Sequence, residues 1–132
     1  MALRWYSTVV ESKDPRLLAR WWAQALGWHV LFESDDECVV VPPWALELSR
    51  SLEFHQVPPG FVFVAVEHEK TGKNRLHWDF APHTGEDRDA EIARLVDLGA
   101  TLVDVGQPAD ASWTVLADID GNEFCVLSSR EQ

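Results

Sequence analysis

A histidine and an aspartate two residues apart are side chains that could carry chemistry. His77 and Asp79 flank a single tryptophan in a short, partly apolar stretch. Because side chains alternate across a strand, both would point to the same face, where a carboxylate can orient an imidazole that titrates near neutral pH. The pair is consistent with an acid, a base or a hydrogen-bond donor in a pocket, and equally with a structural histidine whose hydrogen bonds are satisfied.

Cys125 is the third candidate for a chemical role. Its thiol would act as a nucleophile if it lay near His77 across a binding cleft. The alternative is a buried, inert thiol, because cysteine is among the residue types most often found in protein interiors. Cys38 is the other cysteine, and two cysteines are too few for a disulfide framework. The candidate catalytic residues are therefore His77, Asp79 and Cys125.

The first half of the chain is predicted to contain one helix and four strands. The helix begins after Asp14, because Asp14 is a good N-cap and Pro15 suits the first helical position, and it ends at Gly27, a typical C-cap. Its apolar stripe consists of Leu17, Leu18, Trp21, Trp22, Ala25 and Leu26. β-Branched and aromatic residues predict strands at 3–11, 28–33, 37–41 and 61–66. Residues 44–56 fit neither pattern clearly and are interpreted as an irregular excursion.

The same order of elements recurs after residue 74. The elements there are a strand at 75–81, a helix at 87–98 and strands at 100–105, 113–117 and 123–127, and the helix ends in Leu-Gly as the first one does. Ile92, Leu95 and Val96 are predicted to face inward from this helix. The sequence therefore predicts an α+β fold in which two βαβββ modules, at about 3–68 and 75–128, form a curved mixed sheet around a cleft. Both modules would belong to a single domain, residues 1–132.

Strand alternation assigns residues to the two faces of each sheet. One face must carry the helix, and in the second half it is apolar: Leu76, Trp78 and Phe80. The other face holds His77 and Asp79, and by the same parity Trp5, Ser7, Val9 and Glu11 in the first half. Small-molecule sites lie in clefts, so function is expected on this second face. Trp5, Trp44 and Trp113 would either form a flat apolar wall there or pack in the core or at a dimer interface.

Composition narrows the class of partner. The chain has 132 residues, 46% hydrophobic and 25% charged, which is typical of one soluble globular domain. Lys plus Arg number 11 and Asp plus Glu 22, so the net charge of −11 disfavours nucleic acid and anionic membranes as partners. We expect a cytoplasmic protein, because the sequence shows neither a secretory leader nor an apolar run near the roughly 18 residues of a membrane span.

The repeated order of elements and several local runs resemble the vicinal-oxygen-chelate superfamily, which includes glyoxalases, bleomycin resistance proteins and dioxygenases. The runs are Leu26-Gly27-Trp28 and the C-terminal DIDGNEFC, residues 118–125. The stretch KTGKNRLHWD, residues 70–79, is similar to the glyoxalase-like domain branch. The resemblance covers residues 6–127 and implies the vicinal-oxygen-chelate fold. Ile119 stands where that family usually has proline, which alters a turn and not the chemistry.

The resemblance also implies where a metal would bind. Metal-dependent members carry His or Glu at one position on the first and one on the last strand of each module, and this quartet holds a divalent ion that chelates vicinal oxygens of the substrate. The corresponding positions here are Ser7, Val64, His77 and Cys125. Valine has no donor atom, serine is a poor ligand, and cysteine suits a soft metal, so we expect no metal cofactor. In an alternative alignment Glu47 replaces Val64, and Glu47, His77 and Cys125 would then form a metal site.

The expected function is binding of a small molecule, in the manner of bleomycin resistance proteins, with no catalytic metal quartet. The expected cleft residues are Ser7, Val64, His77, Asp79, Trp113 and Cys125. One alternative is a lyase, isomerase or dioxygenase-like enzyme acting in the same cleft, and another is an accessory domain with a vestigial cleft. Related small chains pair, so the resemblance also implies a homodimer.

Overall fold

The computed structural model describes residues 2–48 and 50–131. The chain divides into two units, which we call module 1 (Met1–Glu69) and module 2 (Lys70–Gln132), and each is described by itself. Among the described residues, no helix combines the length and the apolar character that crossing a bilayer requires.

Module 1 contains one four-stranded mixed sheet. Its elements are β1 (Ser7–Ser12), α1 (Pro15–Leu26), β2 (His29–Glu33), β3 (Glu37–Val41), α2 (Ala45–Leu48), a 3₁₀ turn (Phe54–Gln56) and β4 (Gly60–Ala65). The strand order is β1-β4-β3-β2, with β1 parallel to β4 and the remaining neighbours antiparallel. The helix α2 and the 3₁₀ turn lie within residues 44–56, for which the sequence predicts an irregular excursion.

The predicted signals at both ends of α1 are confirmed. The Asp14 carboxylate accepts a hydrogen bond from the Leu17 N–H, which satisfies one of the unpaired donors of the first turn. Gly27 adopts φ 67° and donates its N–H to the Ala23 carbonyl, a left-handed conformation that favours glycine. Leu17 is exposed although the apolar stripe included it, because the face that meets the sheet centres on Leu18 and the two tryptophans that follow.

The helix α1 covers one face of the module 1 sheet. Trp22 contacts the ring of Phe61 on β4 edge-on at 6.4 Å, which places Phe61 on the helix side. Phe63, two residues on, is fully buried on the same side. The opposite face, which we call the open face of module 1, carries Val62 and Val64, both half-buried.

Module 2 repeats this arrangement. Its elements are β5 (Trp78–Phe80), α3 (Arg88–Leu98), β6 (Thr101–Leu102), β7 (Thr114–Ala117) and β8 (Glu123–Val126). The strand order is β5-β8-β7-β6, again with the first and last strands parallel and adjacent. The α+β class and the two βαβββ modules, each with a mixed sheet, are thereby confirmed.

Two strands of module 2, β5 and β6, are markedly shorter than predicted. Leu76 precedes β5 and is 91% exposed, so it does not join Trp78 and Phe80 on the helix side. The strand β6 ends at Leu102, and the Val103 N–H still donates to the Val115 carbonyl of β7. Beyond Val103 the chain bonds locally: the Asp104 carboxylate accepts from the Gly106 N–H, and Gly106 adopts φ 86°. Such local side-chain hydrogen bonds compete with the ladder of a sheet.

The first strand also begins later than predicted, at Ser7. Residues 2–6 have no regular structure, and Trp5 is 65% exposed, so it belongs to no strand face. The Arg4 guanidinium lies over the rings of Tyr6 and Phe54, at 4.8 and 5.2 Å from their centroids. These cation–π contacts hold the N-terminal segment against the stretch between β3 and β4.

Arg88 links α3 to the module 2 sheet. Its guanidinium donates to the Leu127 and Val126 carbonyls and to the Thr114 hydroxyl, so the Thr114 side of the sheet is the helix side. Leu95 is the buried residue of α3, whereas Val96, which was also predicted to face inward, is exposed. We call the opposite side, with Asp79, Val115 and Cys125, the open face of module 2.

Replacing Arg88 with methionine is expected to lower the free energy of unfolding by about 1–2 kcal/mol, because the carbonyls and the hydroxyl would lose a charged donor. Urea denaturation followed by circular dichroism measures the change. The matched control is Arg94→Met, which removes an exposed pair with Glu91 on the same helix and should cost no more than about 0.5 kcal/mol. Equal effects of the two substitutions would contradict this role of Arg88.

Candidate functional site

Three polar side chains meet on the open face of module 2. The parallel pairing of β5 with β8 sets Asp79 opposite Cys125, and His77 lies two residues before Asp79. His77 Nε2 is 3.4 Å from Asp79 Oδ1, and one potential ligand atom from each of the three residues lies within 4.8 Å of the others. The structure thus brings together all three candidate catalytic residues, and we call them the polar cluster.

The source of this proximity differs from the expectation. Cys125 was expected to reach His77 across a cleft, but both residues belong to module 2, and Cys125 lies on the strand next to β5. Adjacent strands lie about 4.8 Å apart, so residues on one face of two neighbouring strands are in reach of each other. The geometry of the cluster is therefore set by one sheet.

Burial raises the pKa of the Cys125 thiol, and Asp79 raises it further through its negative charge and its hydrogen bond with the thiol. Lys73 acts in the opposite direction but does not outweigh these effects. A thiol with a raised pKa stays protonated at neutral pH and is a poor nucleophile. In this arrangement Cys125 is a hydrogen-bond donor to Asp79.

Glu123 on β8 holds the segment Lys70–Asn74 against this strand. The Glu123 carboxylate accepts from Lys70 Nζ at 3.1 Å and from the Asn74 N–H at 3.0 Å, and Lys70 also donates to the Gly72 carbonyl. The Glu123 and Lys70 side chains are only 12% and 21% exposed, so solvent screens this ion pair weakly. No local sequence pattern marks Glu123 for this role, because its two partners lie 53 and 49 residues away along the chain.

Apolar residues border the polar cluster. Val115 on β7 pairs with Cys125, and both side chains are buried, with Cys125 only 6% exposed. Trp113, a predicted cleft residue, immediately precedes β7 and is partly exposed. His77 and Asp79 remain about half exposed, so the cluster offers its imidazole and its carboxylate to solvent.

The other predicted cleft residues, Ser7 and Val64, lie in module 1. Ser7 pairs with Gly60, and Val64 pairs with Glu11. In module 2 the corresponding strand pair sets Asp79 opposite Cys125, so Glu11 occupies the place of Asp79 when Val64 is matched to Cys125. Strand alternation had placed Glu11 on this face, but the register that makes it the counterpart of Asp79 comes only from the structure.

Among the residues that the structure describes, the polar cluster is a group of side chains that could hold a metal ion. An imidazole nitrogen, a carboxylate oxygen and a thiolate sulfur are the donor types of zinc sites, and three protein donors leave one position open. Magnesium and calcium prefer sites made of oxygen ligands alone. Glu47 lies on α2 of module 1, and the alternative set that includes it stays a prediction.

Structures with this arrangement of elements occur in the glyoxalase, bleomycin resistance and dioxygenase superfamily. A family enzyme from Burkholderia phytofirmans PsJN aligns with a TM-score of 0.71 at 16% identity, over 97% of this chain and 100% of that chain. A fosfomycin resistance protein from Mesorhizobium loti gives a TM-score of 0.66 at 13% identity, over 96% and 92%. Its counterpart from Listeria monocytogenes gives 0.67 at 12% identity, over 98% and 94%. These similarities define the fold.

The model of the glyoxalase-like domain family matches residues 7–127, and the chain belongs to this family. This match confirms the family that the resemblance implied, over nearly the same residues, 6–127. A search among curated proteins found no match.

Proposed function

We propose that this protein binds a small organic molecule at the open face of module 2, through the polar cluster and without the metal quartet of metal-dependent relatives. The observation that carries the proposal is the convergence of His77, Asp79 and Cys125 from two adjacent strands. Two of these side chains keep about half of their surface exposed, and the partly exposed Trp113 immediately precedes β7, the strand next to β8. A few convergent polar groups beside apolar surface are typical of small-molecule sites.

The state of Cys125 supports binding over covalent catalysis. Its raised pKa leaves a neutral thiol whose proton is directed to Asp79, whereas a catalytic cysteine needs a lowered pKa. The exposed part of the cluster then consists of a carboxylate acceptor and an imidazole, which form hydrogen bonds without a chemical step. The alternative of a lyase, isomerase or dioxygenase-like enzyme would need a different activated group. Product formation in turnover assays would favour that alternative.

The proposed ligand is neutral or cationic and partly aromatic or planar. Asp79 offers a half-exposed carboxylate, and the net charge of −11 disfavours anions on approach. Trp113 immediately precedes β7, the strand next to β8, and its indole is partly exposed, which suits contact with a planar group. The ligand is thus expected to place a hydrogen-bond donor on Asp79.

A titration of tryptophan fluorescence with planar amines, planar neutral amides and aromatic carboxylates tests this proposal. The amines or amides are expected to quench the fluorescence, and Asp79→Ala is expected to weaken their binding at least about tenfold, the loss of one charge-assisted hydrogen bond. Asp97→Ala, an exposed position on α3, is the matched control. The proposal fails if only acidic or aliphatic compounds bind, or if Asp79→Ala has no effect.

We further propose that the protein forms a homodimer. Large apolar side chains are exposed in module 1: Leu3, Trp5, Tyr6, Trp44 and Phe54. At 65% and 49% exposure, Trp5 and Trp44 do not pack in the core, and aromatic side chains are enriched at protein interfaces. Sedimentation velocity at micromolar concentration is expected to show a dimer, and a monomer there would contradict the proposal.

A further inference from the structure

An arginine near the N-terminus lies against two aromatic rings and has no acidic partner. The Arg4 guanidinium carbon is 4.8 Å from the centroid of the Tyr6 ring and 5.2 Å from that of the Phe54 ring. Arg4 Nε is buried without a hydrogen-bond partner, and no carboxylate among the described residues pairs with the guanidinium. Asp and Glu outnumber Lys and Arg by 22 to 11, so a shortage of carboxylates does not explain this.

We define the Arg4 patch as Arg4, Tyr6, Phe54 and Glu53, all of module 1. Tyr6 and Phe54 contact the same cation, so their surfaces are neighbours, and they are 70% and 61% exposed. Glu53 directly precedes Phe54 and is exposed, and its N–H donates to Gln56 Oε1 at 3.0 Å, which fixes the 3₁₀ turn. Within the described part of the chain, Glu53 pairs with no cation. The patch therefore presents aromatic surface, one unpaired cation and one unpaired carboxylate.

We propose that the Arg4 patch binds the same patch of a second copy of this chain, with Arg4 of each copy paired to Glu53 of the other. The inference rests on the homodimer proposed above and specifies its interface. In a two-fold interface the same surface serves both copies, so every contact occurs twice with the roles exchanged. A patch with one unpaired charge of each sign meets this condition, because each copy supplies the charge that the other lacks.

The residue types and their arrangement also suit a protein interface. Arginine and tyrosine are enriched among the residues that dominate binding energy between proteins. The two rings already position the Arg4 side chain, so an ion pair to it costs less conformational entropy than one to a freely moving arginine. The same rings would exclude water from the ion pair and reduce its screening by salt.

The net charge of each copy opposes association at long range. Two chains of net charge −11 repel each other, and this repulsion is largely screened beyond about 8 Å at about 0.15 M salt. Contacts between opposite charges act at shorter distances than that. We therefore expect the dimer to depend on the charges of the Arg4 patch in buffers of this ionic strength.

The test reverses each charge separately and then mixes the two variants. Sedimentation of the full chain in about 0.15 M salt measures the dissociation constant of the dimer. Arg4→Glu and Glu53→Arg each place like charges at both contacts, so each is expected to raise that constant at least about tenfold. In a mixture of the two variants, a dimer with one chain of each has opposite charges at both contacts. We expect this dimer to form at least about fivefold more tightly than that of either variant alone.

Arg75→Glu is the matched control, because it makes the same change in net charge at an exposed arginine of module 2. It should alter the dissociation constant by no more than about twofold. The mixture distinguishes an interface contact from a purely structural role of Arg4, since a structural defect would not be repaired by a second variant chain. Circular dichroism confirms that each variant is folded.

Three results would count against the inference. A dimer that neither charge reversal weakens would overturn it and leave the homodimer standing. Variants that associate no more tightly when mixed than alone would also overturn the pairing of Arg4 with Glu53. A monomer of the unchanged protein at micromolar concentration would overturn both the homodimer and this interface, and a different partner would then cover the patch.

Discussion

Replacing Trp22 with alanine is expected to lower the free energy of unfolding of module 1 by about 3–5 kcal/mol, the cost typical of deleting a buried tryptophan side chain. Trp22 is 1% exposed, and its ring meets Trp21 edge-on at 5.0 Å and Phe61 at 6.4 Å. The substitution would remove both aromatic contacts and leave a cavity between α1 and the sheet. Urea denaturation followed by far-ultraviolet circular dichroism measures the loss.

Trp44→Ala is the matched control for this prediction. The Trp44 side chain is 49% exposed, so the same change in volume removes much less buried surface and should cost no more than about 1 kcal/mol. If Trp22→Ala lowered the free energy of unfolding no more than Trp44→Ala does, the result would contradict the packing of α1 on the module 1 sheet.

Replacing Glu123 with alanine is expected to lower the free energy of unfolding by about 2–3 kcal/mol. The substitution would leave Lys70 without its carboxylate partner and the Asn74 N–H without its acceptor, in a place that solvent reaches poorly. Breaking a buried ion pair costs about 3–5 kcal/mol, and the partial exposure of Lys70 reduces that cost. Glu91→Ala, which removes the exposed pair with Arg94, is the control and should cost no more than about 0.5 kcal/mol.

The ion pair also predicts a dependence of stability on pH. Burial alone would raise the pKa of Glu123, but hydrogen bonds from backbone N–H groups, including that of Asn74, and from Lys70 outweigh it, so the pKa lies below its ordinary value of 4.5. A carboxyl group whose pKa is lowered on folding stabilises the protein fully above its unfolded pKa, and this contribution is lost as the pH falls through the folded pKa.

Glu123→Gln removes the titrating group and keeps an oxygen acceptor for the Asn74 N–H. The difference in unfolding free energy between the unchanged protein and this variant is therefore expected to be constant near neutral pH and to shrink below about pH 4.5. A difference that grows on acidification would contradict the assigned role of Glu123.

Local patterns determined most of the secondary structure. Asp14, Pro15 and Gly27 define the ends of α1 through short-range hydrogen bonds and backbone preferences, so their effect does not depend on distant residues. Strand ends depend on pairing partners as well. The strand β5 is shorter than its apolar pattern suggests because its ladder with β8 begins at Trp78 and Phe124, and Leu76 has no place in that ladder.

The sequence by itself determined the two βαβββ modules, the family, and the residue types available for chemistry. The alternation along a single strand was sufficient to place His77 and Asp79 together. Only the tertiary structure decided that Cys125 joins them, because the register between β5 and β8 brings together residues 46 positions apart in sequence, 79 and 125. The same holds for Glu123 and the segment Lys70–Asn74, since long-range hydrogen bonds leave no periodic signal in the chain.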